Sequence, residues 1–196
     1  MKKICVLAGI LISLVVTGII VNAKQSQMQE DLAKEVFRFH VLANSDSDED
    51  QALKMQVKEA VIAYMKEEIP DSDSVETTKE WARNHLDAIV NLAKAVIREE
   101  GYDYPVIAEV TTCDFPEKTY GDITFPSGRY EALRIEIGEA NGQNWWCVLY
   151  PNLCFIDAVH AVVPEESKQE LQNVLEEDTY QMITKPPKWK ISWFFF

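Results

Sequence analysis

The chain has 196 residues, enough for one domain with a sizeable core. Its formal net charge of −13 excludes the basic footprint that a nucleic-acid binder needs, and it disfavours adhesion to an anionic lipid surface. With 47% hydrophobic and 26% charged residues it falls among globular proteins rather than disordered chains.

The first element is an uncharged apolar run from Ile4 to Val21, preceded by Lys2 and Lys3. Val21-Asn22-Ala23 then offers the kind of segment that a signal peptidase reads. The run is long for a secretion signal and just long enough to span a bilayer. Residues 1–23 are therefore expected to be a signal peptide, cut between Ala23 and Lys24, or a retained signal anchor. Either way the basic end stays inside, and Lys24 onward lies outside the cytoplasm. Cleavage removes two lysines and no acids, taking the charge from −13 to −15. Residues 24–35 are polar and read as a tether, leaving 36–196 as a single domain.

Val36 to Ala43, "VFRFHVLA", predicts a strand: Phe37, Phe39, Val41 and Ala43 share one face at period two. Arg38 and His40 lie on the other face, where a surface or half-buried histidine beside Asn44 and Asp46 is the plain reading and a partner contact is the functional one. Ser47 with Asp50 three residues on resembles a capping box and starts a helix over Asp48–Glu68, with Leu53, Val57, Ala60, Val61, Tyr64 and Met65 on its apolar stripe. "IPDSDS" ends it. A second helix is expected from Ser74–Thr77 to Gly101, Thr77 and Glu80 forming its capping box and Trp81, Ala88, Ile89, Leu92, Ala93, Val96 and Ile97 building its apolar stripe.

The period then changes. Tyr104–Cys113 reads as a strand, and "FPEKTYGDITFPSG" as a loop. "RYEALRIEIG" alternates, with Leu133, Ile135 and Ile137 facing in. Asn141-Gly142 is a hairpin signal, making "NWWCVLY" the returning strand. A third helix follows Pro164, with Leu171, Val174 and Leu175 buried, and "KWKISWFFF" ends the chain as a strand. The order β-α-α-β-β-β-α-β predicts an α+β fold: a mainly antiparallel sheet with helices packed on one face, preceded by the apolar N-terminal segment.

A search for chemistry returns little. "DSDED" lacks the Gly and the Glu of a calcium loop. The histidines and cysteines are too scattered for a closed zinc site. Cys5 falls in the signal segment, leaving Cys113, Cys147 and Cys154. Outside the membrane, Cys147 and Cys154 form the natural disulfide, closing a short loop for about 2.5 kcal/mol if their Cα atoms approach within about 7 Å. Cys113 is then free or buried. No cofactor and no metal are expected. Trp145 and Trp146 are more telling. Neighbours on a strand point to opposite faces, so the two cannot enter one core. An exposed indole beside Tyr150 would be an anchor for a protein partner.

Two stretches, "RFHVLANSDSDEDQALKMQVKEAV" and "TYGDITFPSGRYEALRIEIGEANGQNWWCVLYPNLCF", resemble the stage II sporulation protein R family, over about Val36 to Asp157. Tyr150 and Asn152 look like small departures within the second. The resemblance implies an intercellular signal of endospore formation with no catalysis of its own. It would be made in the forespore, exported into the space between forespore and mother-cell membranes, and would activate a membrane-embedded aspartic protease of the mother cell that matures the sigma factor E precursor. No small-molecule substrate follows from it, and membrane contact is limited to an uncleaved N-terminal segment. The family supplies no active-site residues, so the expected partner-binding positions are Arg38, His40 and Asn44 in one patch and Trp145, Trp146 and Tyr150 in another. The competing readings are an exported thiol hydrolase using one cysteine and His160, and a structural envelope protein.

Overall fold

The computed structural model describes residues 2–69, 74–154 and 162–185, with side chains from residue 12 onward. The expected break at Pro70, His160 and the expected C-terminal strand, residues 188–196, lie outside them. The elements run α1 (Lys2–Glu35), β1 (Phe37–Leu42), α2 (Asp48–Glu68), α3 (Val75–Asn84), α4 (Leu86–Glu99), β2 (Val106–Phe115), β3 (Lys118–Tyr120), β4 (Ile123–Phe125), β5 (Gly128–Ile137), β6 (Asn144–Tyr150), α5 (Glu165–Val174) and α6 (Glu177–Thr184). The fold is α+β, as expected.

The main sheet has the order β2-β5-β1-β6, and β3-β4 form a separate hairpin. β1 runs parallel to β5 and antiparallel to β6, and β2 runs antiparallel to β5. β5 and β6 therefore do not pair with each other, which corrects the expected hairpin at Asn141-Gly142. β1 lies between them, and the connection instead packs against the end of β1. Asn141 N–H donates to Asn44 O at 3.2 Å and Gly142 N–H to Ala43 O at 3.0 Å.

Both faces of the sheet are covered. Phe37, Phe39 and Val41 of β1 join Leu133, Ile135 and Ile137 of β5 in a core roofed by Leu53, Val57 and Val61 of α2 and by Ile89, Ala93 and Ile97 of α4. The opposite face carries a second core, with Tyr130 and Ala132 of β5, Val148 of β6, Phe125 of the hairpin, Leu171 and Ile183 of the C-terminal helices, and Leu32 of α1. Sequence period anticipates the first layer. The second draws on elements too short or too polar to announce themselves.

The helix starts follow capping chemistry. Ser47 Oγ accepts from Asp50 N–H at 3.2 Å and opens α2, with three acids in its first turn. Ser74, rather than Thr77, caps α3, accepting from Thr77 N–H at 3.2 Å. The expected second helix divides at His85, whose ring stacks on Trp81 at 4.2 Å.

Residues 24–35, read as a polar tether, form the last turns of α1, and Leu32 and the following Val36 are fully buried in the second core. Upstream, Ile12, Leu14, Ile19 and Ile20 are each more than 60% exposed, an apolar surface on which none of the described residues of the domain packs. Among residues with described side chains, no helix is long and apolar enough to cross a membrane.

Candidate functional site

β1 is one of the two interior strands, and every residue from Phe37 to Leu42 is buried. Its second face, expected to meet solvent, instead carries Arg38 at 0% exposure and His40 at 3%. This corrects the idea of a surface patch at these two residues. Burying two basic side chains is costly unless other groups receive them.

Arg38 is received by aromatic rings. Its guanidinium carbon lies 4.4 Å from the centroid of Phe115, 5.0 Å from Tyr130, 5.2 Å from Phe125 and 6.0 Å from Tyr120. Nε donates to Cys147 O at 3.0 Å and Nη2 to the Tyr120 hydroxyl at 3.2 Å. No carboxylate pairs with it among the described residues, and Nη1 has no hydrogen-bond partner there. Burial weakens its basicity, and the neighbouring Tyr120 and Tyr130 oppose that effect. Ring faces thus do the work that a counter-ion would do, at about 2 kcal/mol for a desolvated cation–π contact. Tyr120 and Phe125 come from the β3-β4 hairpin, within the stretch expected to be a loop.

His40 sits beside this cage. Its ring stacks on Trp146 at 4.8 Å and meets Phe115 at 5.2 Å. Nε2 lies 3.3 Å from Cys113 Sγ. Burial first, then the positive charges of Arg134 and Arg38, push the imidazole pKa down to about 3. Burial pushes the Cys113 thiol up. The pair is therefore a neutral thiol and a neutral imidazole at pH 7, whereas a nucleophilic cysteine needs a thiolate. Sequence reading missed this pair because Cys113 and His40 belong to strands that do not touch each other; only the intervening β5 and the sheet's twist bring them together.

Trp145 and Trp146 do point to opposite faces, as strand geometry requires. Trp145 packs edge-on against Phe39 at 5.7 Å, with Lys58 Nζ 5.2 Å from its ring, while Trp146 meets His40 and Phe115. Each is half-buried, as is Tyr150, so neither indole is wholly sunk in a core. All three lie on β6, an edge strand among the described residues. Cys147 and Cys154 lie at disulfide distance, with Cα atoms 5.5 Å apart. They fasten the chain leaving β6 rather than the end of a hairpin.

Asn44 is half-buried and engaged within the fold: Nδ2 donates to Asp50 at 2.8 Å and Oδ1 accepts from Glu139 N–H at 3.0 Å. Ala23 and Lys24 are exposed within α1, and Lys24 pairs with Asp178 of α6 at 2.8 Å. No group of three or more potential metal ligands occurs among the described residues.

Comparison with known proteins agrees with the sequence resemblance. The family model for stage II sporulation protein R matches residues 33–160. The stage II sporulation protein R of Bacillus subtilis (strain 168) is 34% identical over 194 residues, covering 91% of this chain and 85% of that relative. No solved structure matches. The matched span runs from the last turn of α1 through β6 and includes Arg38, His40, Cys113, both tryptophans and the cysteine pair, so the chain belongs to the stage II sporulation protein R family.

Proposed function

We propose that this chain is an exported signal of endospore formation that activates a membrane-embedded aspartic protease of the mother cell, and so matures the sigma factor E precursor. It acts by presenting a surface rather than by catalysis. The observation that carries this reading is the aromatic edge of the sheet. Trp145, Trp146 and Tyr150 are half-buried along β6, each braced from behind and each with area left for a partner. Braced, partly solvated indoles are the side chains that dominate protein–protein affinity. Arg38 and His40 belong to this reading as the foundation under Trp146, not as contacts.

The apolar run of α1, exposed at Ile12, Leu14, Ile19 and Ile20, supports export, either as a cleaved signal or as an anchor, into the space between the forespore and mother-cell membranes. The thiol-hydrolase reading loses ground on chemistry. Cys147 and Cys154 are engaged with each other, and Cys113 faces an imidazole that does not ionise it.

The test is reconstitution. Protein comprising residues 24–196 is added outside cells that carry the protease and its precursor, and precursor cleavage is followed by gel mobility. Cleavage is expected with the wild-type chain. Trp146→Ala, Trp145→Ala and Tyr150→Ala should weaken it at least tenfold in the concentration required, with secretion and circular dichroism unchanged. Full activity in all three variants would overturn docking through β6.

A further inference from the structure

The other edge of the sheet leads to a separate conclusion. β2 runs from Val106 to Phe115, and among the described residues no strand pairs with its outer side. Soluble proteins protect such an edge with proline, charged side chains (lysine above all), a bulge or a short strand. Of these, β2 has only the two acids Glu109 and Asp114. Its ten residues, "VIAEVTTCDF", contain no proline, glycine or basic residue, and their register with β5 continues from Val106 to Phe115 without a shift. β6 differs, with a register shift where it meets Phe37 and Arg38 and a proline directly after it. β2 also carries Ile107, a large apolar side chain 56% exposed.

We infer that β2 pairs with β2 of a second copy of this chain, antiparallel about a two-fold axis at Val110, to give one continuous sheet. The strand's own sequence argues for a second copy. In a closed two-fold contact the same strand must complement itself, and residues directly opposite must share a sheet face. Centring on Val110 places Ile107 opposite Cys113 of the second copy, Glu109 opposite Thr111 and Val106 opposite Asp114. Each pair keeps one parity and hence one face. The exposed isoleucine then meets the half-buried free cysteine, and no acid lies directly opposite another. The acid nearest the axis, Glu109, is paired with Arg134 at 3.1 Å, which offsets part of its charge, Arg134 also pairing with Glu136. The joined sheet ends in β6 at both extremities, so the β6 surface stays free in each copy. This inference does not rest on the docking reading, since it concerns the opposite edge and needs no other protein.

The register is tested with the full chain carrying Cys5→Ser, so that Cys113 is the one unpaired native thiol. Ile107→Cys places a second thiol opposite Cys113 of the other copy, at the 4.5–5.5 Å Cα separation of antiparallel pairs, which suits a disulfide. Mild oxidation should convert most of this variant to a covalent dimer on non-reducing gels, reversed by dithiothreitol, with peptide mass mapping joining position 107 to position 113. Ile107→Cys combined with Cys113→Ser should cross-link at least tenfold less, because the two 107 positions lie far apart across the axis. In density-matched detergent, sedimentation equilibrium of the Cys5→Ser chain should show a dimer that Ile107→Lys dissociates without loss of helix or strand signal. Equal cross-linking with and without Cys113 would overturn the inference, as would a monomer, or a dimer that Ile107→Lys leaves intact.

Discussion

The His40 imidazole and the Trp146 indole lie in parallel planes 10° apart with centroids separated by 4.8 Å, one ring forming the floor of the other. A charged imidazolium would gain from the indole face, but burial and the guanidinium groups of Arg134 and Arg38 outweigh that gain and hold the pKa near 3, against 6.5 for a free histidine. A base with a depressed folded-state pKa leaves the unfolded chain to bind protons first. Its contribution to stability is therefore complete above about pH 6.5 and is lost as pH falls toward 3. Each pH unit within that window is worth about 1.4 kcal/mol. Urea unfolding at pH 6.5 and pH 5 should show wild-type stability falling by about 2 kcal/mol, with a smaller fall in His40→Gln. An equal fall in both proteins would mean that His40 is not held neutral.

Arg38 gives a contrast between two substitutions. Arg38→Ala removes the donor to Cys147 O and empties the space among Phe115, Tyr120, Phe125 and Tyr130, and should cost about 3–5 kcal/mol. Arg38→Met keeps most of the volume and removes a buried charge that has no carboxylate. Its remaining penalty is the unsatisfied carbonyl, about 1–3 kcal/mol. The methionine variant should therefore unfold at the higher urea concentration, with an unchanged slope. The reverse order would show that filling of the cage does not dominate at this position.

The same residue shows where sequence reading succeeds and where it stops. Alternation in "VFRFHVLA" is enough to put Phe37, Phe39 and Val41 in a core, and Ser47 with Asp50 is enough to start α2 at Asp48. Both are local signals. That Arg38 and His40 are buried too depends on which strands flank β1 and on what covers the second face, and neither is local. Asn141-Gly142 misleads for the same reason: a turn dipeptide reports a change of direction, whereas the strand inserted between β5 and β6 comes from about a hundred residues earlier. The hairpin that supplies Tyr120 and Phe125 has strands of three residues each, too short for any period to emerge. The family, by contrast, was legible from two stretches, because long runs of unusual composition carry identity even where they hide geometry.

The last turns of α1 should behave as part of the domain. Leu32 is fully buried against the second core, and Gln29 packs so closely over Gly128 that a Cβ there would collide with it. Leu32→Ala should cost about 2–5 kcal/mol. Ile19→Ala, in the exposed half of the same helix, should change stability by less than about 0.5 kcal/mol. Urea midpoints in the same detergent measure both. A mild effect at Leu32 would restore the reading of residues 24–35 as a tether.

Gly138 and Asn44 lock the β1–α2 turn to the end of β5. Gly138 adopts φ +61°, which favours glycine, and a Cβ there would collide with the Asn44 side chain. Asn44 cannot simply swing away, since Oδ1 accepts from Glu139 N–H and Nδ2 donates to the buried Asp50. Gly138→Ala therefore combines backbone strain with displacement of a fixed side chain, about 2–4 kcal/mol together. Asn44→Ala forfeits the two hydrogen bonds, about 1–3 kcal/mol. In the double variant the two nearest clashing atoms, Asn44 Oδ1 and Cγ, are gone and only the Cβ at position 44, 2.9 Å away, still crowds the new methyl, so the combined loss should fall short of the sum of the single losses by about 1 kcal/mol or more. Strict additivity in that cycle would leave backbone strain as the whole reason for glycine at this position and would remove Asn44 from the account.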